Sequence, residues 1–221
     1  MGAKTDRRHA QGDESRERIL DATIEIAALR GYHGTSIALV SKHSGLPASS
    51  IYWHFKSKDD LFAAVIERSF DAWLQSTVLP SMQRPEGEAV QGVERLRSNM
   101  REQAKALVIN PEFLRLGLLL SLEQHPDEPT ARSMFLEVRK RSLEVLVGAF
   151  GKVLVEAEGV RDAGLARRLA MLTMAAADGL FIAHQIDPQS IDLSAEFDLL
   201  ASMVELLVTS PPKPPARRRR A

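Results

Sequence analysis

Thr35–Leu61 reads TSIALVSKHSGLPASSIYWHFKSKDDL, and the punctuation of this stretch decides the fold. A short helix is expected from about Ser36 to Ser44. Thr35 or Ser36 would cap it, because a side-chain oxygen there can accept from a first-turn amide. Gly45-Leu46-Pro47 makes a turn, with glycine supplying the left-handed conformation that the reversal needs, and a second short helix runs from Pro47 to about Phe55. Ile37, Val40 and Ser41 face inward from the first helix, Ile51 and Phe55 from the second, while Leu46 plugs the angle between them. Ser57 and Asp60 then stand at capping-box spacing, with Asp in place of the usual Glu or Gln. They open a long helix whose apolar stripe of Leu61, Val65, Ile66, Phe70, Trp73 and Leu74 continues to Pro80. Two short helices braced across a glycine turn project the second one far enough to enter a DNA major groove.

Outward from this core the chain stays helical. Upstream, Ile19, Ala22, Ile26 and Leu29 recur at helical spacing from a start near Ser15, and Gly31 stops that helix. Downstream, after a loop at Gln83–Gly87, five helical stretches follow at about 88–109, 111–124, 129–157, 162–186 and 194–209. Pro111, Pro126, Pro129, Gly159 and Pro188 separate them. The expected class is all-α. The expected division is a flexible N-terminal arm (1–14), a three-helix helix-turn-helix domain (15–60), a larger helical domain (61–209) and a disordered basic tail (210–221).

Composition removes several alternatives. The 221 residues include no cysteine, which excludes disulfides, cysteine zinc sites and thiol nucleophiles. The polar start, Met1 to Glu17, lacks the apolar core of a signal peptide. No uninterrupted apolar run is long enough for a membrane span, since Arg115, Gly117 and Thr173 break the best candidates. A soluble cytoplasmic protein without membrane contact is expected. The six histidines (9, 33, 43, 54, 125 and 184) have no metal-site spacing, and no phosphate loop or dinucleotide fingerprint occurs. No cofactor, no metal, no catalytic residue and no enzymatic activity are therefore expected. Net charge is zero, but Lys213 and Arg217 to Arg220 in the tail leave the rest of the chain net acidic. Charge alone neither requires nor forbids a nucleic-acid partner.

The order and spacing of Gly31-Tyr32, Thr35-Ser36-Ile37, Gly45-Leu46 and Ile51-Tyr52-Trp53-His54-Phe55-Lys56-Ser57-Lys58 resemble the TetR family of one-component transcriptional regulators, closely across Ser15 to Ala64. The resemblance implies that Ala48, Ser49 and Ser50 open a recognition helix and face base edges. It puts Tyr52, Trp53 and His54 against phosphates and bases, and Lys58, Thr35 and Ser36 against phosphates. The chemistry suits those roles, since hydroxyls and lysine contact phosphate and alanine can contact a thymine methyl. Family members often carry Arg or Lys where this chain has Ala38 and Ala48, so backbone contacts and DNA shape are expected to carry more of the specificity. Trp53 is expected on the DNA side rather than in the core, whereas for Tyr52 both placements stay open. The arm residues Lys4, Arg7, Arg8, Arg16 and Arg18 admit either a DNA-contacting arm or a disordered leader.

The resemblance further implies that the larger domain binds a small ligand and dimerises through its last two helices, here about 162–186 and 194–209. Leu172, Ala176, Gly179 and Ala183 form a stripe of mostly small residues on the first, and Phe197, Leu200, Ala201, Val204 and Val208 recur on the second. Such stripes suit close helix packing in a dimer bundle or in an ordinary core. An effector pocket is expected from Phe113, Leu116, Leu120 and Met134, with Met171, Met174 and Phe181, and with His125 and Asp178 as polar groups. The expected function is a ligand-responsive repressor that binds a palindromic operator as a homodimer and is released by a small-molecule effector. The alternative is a helical adaptor or small-molecule-binding protein without DNA-binding activity.

Overall fold

The computed structural model describes residues 2–75, 92–109, 112–122, 130–159 and 162–209. Among these the chain forms α-helices joined by turns, with no strand. The helices are α1 (Gly2–Gly34), α2 (Ile37–Ser44), α3 (Ala48–His54), α4 (Lys58–Trp73), α5 (Gly92–Ile109), α6 (Glu112–Leu122), α7 (Thr130–Glu158), α8 (Ala163–Ile186) and α9 (Leu193–Thr209). They fall into two compact units, one of residues 1–75 and 110–140, the other of residues 76–109 and 141–221.

The first unit is built on α1. Ile19, Leu20, Ala22, Thr23, Ile26 and Ala27 are buried, at the i, i+3, i+4, i+7 spacing of one helix face. Leu29, expected on that face, is 87% exposed, because the buried stripe centres on Ile19, Thr23 and Ile26 and leaves position 29 on its flank. The helix begins at Gly2 rather than Ser15, since no proline interrupts residues 2–34. Residues 2–14, expected as an arm, are its first turns. Gly31 kinks the helix with φ of 65°, and a last turn continues to Gly34. On α4 the buried face is Leu61, Phe62, Ala63, Val65, Ile66, Ser69 and Phe70, and Trp73 stacks on Phe70 at 5.6 Å between ring centroids. The α6 helix packs on both α1 and α4. Arg115 donates to the Ala28 carbonyl at 2.6 Å, and Gly117 lies so close to Phe135 of α7 that a Cβ there would come within 2.0–2.4 Å of the ring.

In the second unit α9 packs against α5 and α8. Phe197, Leu200, Ala201, Val204 and Val208 of α9 are buried, as are Leu96, Met100, Ala104 and Leu107 of α5. Arg97 pairs with Glu205 at 2.5 Å and Arg101 with Asp198 at 2.5 Å along the α5–α9 contact, and Arg95 pairs with Glu156 of α7 at 2.6 Å. Asp162 caps α8 by accepting from the Leu165 amide at 2.9 Å. One face of α8 is buried through Ala166, Leu169, Ala170, Thr173 and Phe181. Its other face is apolar yet open, with Met171, Leu172, Ile182 and Ile186 exposed beside Leu199, Met203 and Leu206 of α9. An 18-residue window of α8 reaches a mean hydropathy of 1.4 with only 22% of it buried. By length and composition that suits a membrane span as well as an apolar packing face.

Candidate nucleic-acid interface

The angle between α2 and α3 is fixed by a small set of polar contacts. Ser36 caps α2 by accepting from the Leu39 amide at 3.3 Å. At the other end Gly45 takes φ 68°, ψ 16°, the left-handed conformation that glycine adopts without a Cβ penalty. Ser41 Oγ donates to the Leu46 carbonyl at 2.7 Å, and Ser44 Oγ accepts from the Leu46 amide at 3.3 Å. Arg18, reaching across from α1, donates to the Ser44 carbonyl at 2.7 Å. It thus meets one of the last carbonyls of α2, which the helix itself cannot satisfy. Val40, Ile51 and Phe55 are buried beneath, and the Arg16 guanidinium lies over the Phe55 ring, 5.6 Å from its centroid.

With its underside fixed, α3 turns a polar and aromatic face outward. Ala48 and Ser49 are exposed and Ser50 half-buried. Tyr52 is 56% and Trp53 76% exposed, so neither aromatic belongs to the core, and the even choice at Tyr52 resolves to the surface. His54 is half-buried, with its ring 4.5 Å from that of Trp53 in a T-shaped contact. Burial holds the His54 pKa below the ordinary histidine value. The nearby Arg16 charge adds to this, and Asp13 opposes it. An open cleft of about 370 Å³ runs along this face, lined by Gly12, Ser15, Ser49, Ser50, Trp53 and His54.

Two residues expected on the surface are engaged elsewhere. Thr35 is only 1% exposed and its hydroxyl donates to the Gly31 carbonyl at 2.8 Å. It stabilises the kink at the end of α1, which corrects its expected role as a phosphate-binding side chain. Lys58 donates to the Tyr32 carbonyl at 3.1 Å, and its ammonium stands 4.1 Å from the Tyr32 ring centroid. It remains half-exposed in the first turn of α4, where Ser57 Oγ caps the Asp60 amide at 3.0 Å. Tyr32 also packs edge-on against Phe62 at 4.7 Å and donates to Asp59 at 3.4 Å. The same Asp59 carboxylate accepts from the backbone amides of Thr130 and Ala131, so one acid serves the end of α1 and the start of α7. Spacing gave no sign of Arg18, Arg115 or Asp59 in these roles, because each acts on backbone from a distant part of the chain.

The expected effector residues are distributed over both units. In the first unit Leu116 and Leu120 are buried on α6 and Met134 is half-buried on α7. In the second, Phe181 is buried, Met174 and Asp178 are half-buried, and Met171 is 55% exposed. Met171 therefore belongs to the open apolar face of α8 rather than to an enclosed lining. The Phe113 side chain and His125 lie outside the described residues, as does the basic tail. His184 is within hydrogen-bond distance of the Ile191 carbonyl at 3.0 Å, which fixes it to the α8–α9 connection.

Residues 19–65 match the family described as bacterial regulatory proteins, tetR family, the segment whose packing has just been described. The chain is similar to the HTH-type transcriptional regulator AcrR of Shigella flexneri, 26% identical over 91% of this chain and 93% of that one. It is likewise similar to the fatty acid metabolism regulator protein of Bacillus subtilis, 26% identical over 86% of this chain and 92% of the relative. The solved structure of FadR from Bacillus subtilis, determined with stearoyl-CoA, superposes with a TM-score of 0.66 at 21% identity, over 88% of this chain and 97% of that chain. Residues 19–65 thus carry a helix-turn-helix of the tetR family, and the chain is similar over most of its length to helix-turn-helix transcriptional regulators.

Proposed function

We propose that this regulator binds a palindromic operator as a homodimer, represses transcription there, and is released by a small-molecule effector. The observation that carries the DNA-binding part is the outward face of α3, where Ser49, Tyr52 and Trp53 are exposed above an underside of buried Ile51 and Phe55. Ala48, Ser49 and Ser50 meet base edges, Tyr52, Trp53 and His54 meet sugar and phosphate, and Ser36 and Lys58 approach phosphates from the flanking helix ends. With alanine at positions 38 and 48, sequence is read largely through backbone contacts and DNA shape.

Dimerisation is supported by the open apolar face of α8 and α9. A second copy covers it through a four-helix bundle and sets two recognition helices about 34–36 Å apart on one side of the duplex. The effector is held by the helical region beyond the head, with Leu116, Leu120 and Met134 the candidate residues in the first unit and Met174, Asp178 and Phe181 those in the second, each set to be tested by itself. It is bound without being turned over. The stearoyl-CoA bound by the Bacillus subtilis relative makes a long-chain acyl thioester the first effector to test. The regulator acts in the cytoplasm, where operator and effector are both within reach.

Selection from a random duplex pool, followed by mobility shift with the recovered sequence, tests this reading. Wild type is expected to bind a palindrome, and Tyr52→Ala to weaken that binding by about tenfold, the equivalent of roughly 1.4 kcal/mol. Recovery of no sequence, with Tyr52→Ala indistinguishable from wild type, would instead favour a helical adaptor.

A further inference from the structure

We propose that Asp59 is a positioning residue for DNA binding: it ties the first turn of α7 to Tyr32, and Tyr32 holds Lys58 where it meets a phosphate. This rests on the reading of Lys58 as a phosphate ligand given above, and it adds a route from α7 into that contact.

The start of α7 is capped from a distance. The first amides of a helix have no partner within it, and Pro129, the residue before α7, carries no side-chain oxygen to accept from them. The Asp59 carboxylate of α4 does so instead, accepting from the Thr130 amide and, at 3.4 Å, from that of Ala131, 71 and 72 positions further along the chain. Both donors on the α7 side are backbone amides, and the Thr130 side chain is exposed. Asp59 itself lies in the first turn of α4, so its charge stands near the positive ends of two helix dipoles.

The same carboxylate reaches Lys58 through Tyr32. The Tyr32 hydroxyl donates to Asp59 at 3.4 Å, and its ring packs edge-on against buried Phe62. Lys58 then rests on Tyr32 twice, its ammonium donating to the Tyr32 carbonyl at 3.1 Å and standing 4.1 Å from the ring centroid. Lysine is among the side chains with most rotamer freedom to lose, so holding its ammonium in advance strengthens the phosphate contact it makes. All of these residues lie in one compact unit. Of the helices that carry them, only α7 continues into the other unit, to which its residues 141–158 belong. A change in α7 therefore bears on Lys58 through two steps, at Asp59 and at Tyr32.

The test uses the full-length protein and a duplex recovered by it from a random-sequence pool, with affinity followed by fluorescence anisotropy. Proline is tolerated in the first turn of a helix and lacks the amide donor, so Thr130→Pro removes one bond to Asp59 without altering charge. It is expected to weaken binding roughly two- to fivefold, whereas Thr130→Ala, which keeps the amide, should match wild type. Lys58→Ala should weaken binding and lower the slope of log affinity against log salt by about 0.9 per protomer. Added to Lys58→Ala or to Asp59→Ala, Thr130→Pro should have no further effect, whereas a merely structural loss would persist in both. Circular dichroism and thermal unfolding check that α7 is retained. If the proline unfolds it, Tyr32→Phe breaks the chain on the other side of Asp59 while keeping the ring, with the same expectations. Wild-type affinity in Thr130→Pro, or an equal loss with and without Lys58, overturns the inference and leaves DNA binding by α3 standing. Wild-type affinity and slope in Lys58→Ala, or recovery of no duplex by wild type, overturns the reading beneath it, and the inference with it.

Discussion

His54 and Gly117 show how much a single position decides. Burial and Arg16 hold the His54 pKa below the ordinary value, so the imidazole is neutral near pH 7 in the free protein. A depressed folded-state pKa contributes stability that is present above the unfolded value, about 6.5, and is lost as pH falls through the lowered folded value. A phosphate brought near the ring acts in the opposite direction and raises the pKa, so DNA binding takes up a proton. Operator affinity is therefore expected to rise as pH falls from about 7.5 towards 6, by at most about tenfold per pH unit per protomer. Titrating binding against pH for wild type and His54→Gln checks this, since the variant should lose that component of the slope. At Gly117 the issue is space. A Cβ would stand 2.0–2.4 Å from Phe135 ring atoms, well inside contact distance. Gly117→Ala should cost about 1–3 kcal/mol in urea unfolding, and a second change, Phe135→Leu, should restore part of the loss.

At the scale of elements, the recognition helix is only as well placed as the turn before it. Arg18 is the tie, reaching from α1 to the last carbonyl of α2. Arg18→Ala is expected to weaken operator binding severalfold and to lower stability by about 1.5–3 kcal/mol, the range for a hydrogen bond to a charged group. Calorimetry paired with mobility shift would reveal whether the two losses travel together. This tie also marks the limit of what the sequence discloses. Gly45, Ser57 and the Pro and Gly breakers made the helices legible, because caps and turns are local chemistry. Val40, Ile51 and Phe55 were legible as the buried underside for the same reason. The role of Thr35 was not, since its hydroxyl could serve a phosphate or the Gly31 carbonyl equally well until the kink was seen. The early start of α1 was also hidden, because a polar segment without proline carries no apolar stripe to announce a helix.

For the whole molecule the decisive feature is the uncovered apolar face of α8 and α9. Leu172 and Leu206 are 60% and 67% exposed, and neighbouring Met171 and Met203 extend the same surface. An apolar patch of this kind on two adjacent helices marks an interaction site. Replacing Leu172 and Leu206 together by glutamate is expected to give a folded monomer in sedimentation velocity, with helicity unchanged. The monomer should bind a palindromic duplex far more weakly than wild type, because two half-sites are then no longer held by one particle. A double variant that stays dimeric would move the interface elsewhere.

The aromatic face of α3 has a spectroscopic consequence. The chain contains two tryptophans. Trp53 is 76% exposed on the recognition helix, whereas Trp73 is half-buried and stacked on Phe70. Their emission should separate accordingly, with Trp53 red-shifted and open to iodide quenching and Trp73 bluer and shielded. A Trp73→Phe variant would leave Trp53 as the single tryptophan, on the face proposed to meet DNA, so that docking could be followed optically by exciting at the indole's red edge without attaching a dye.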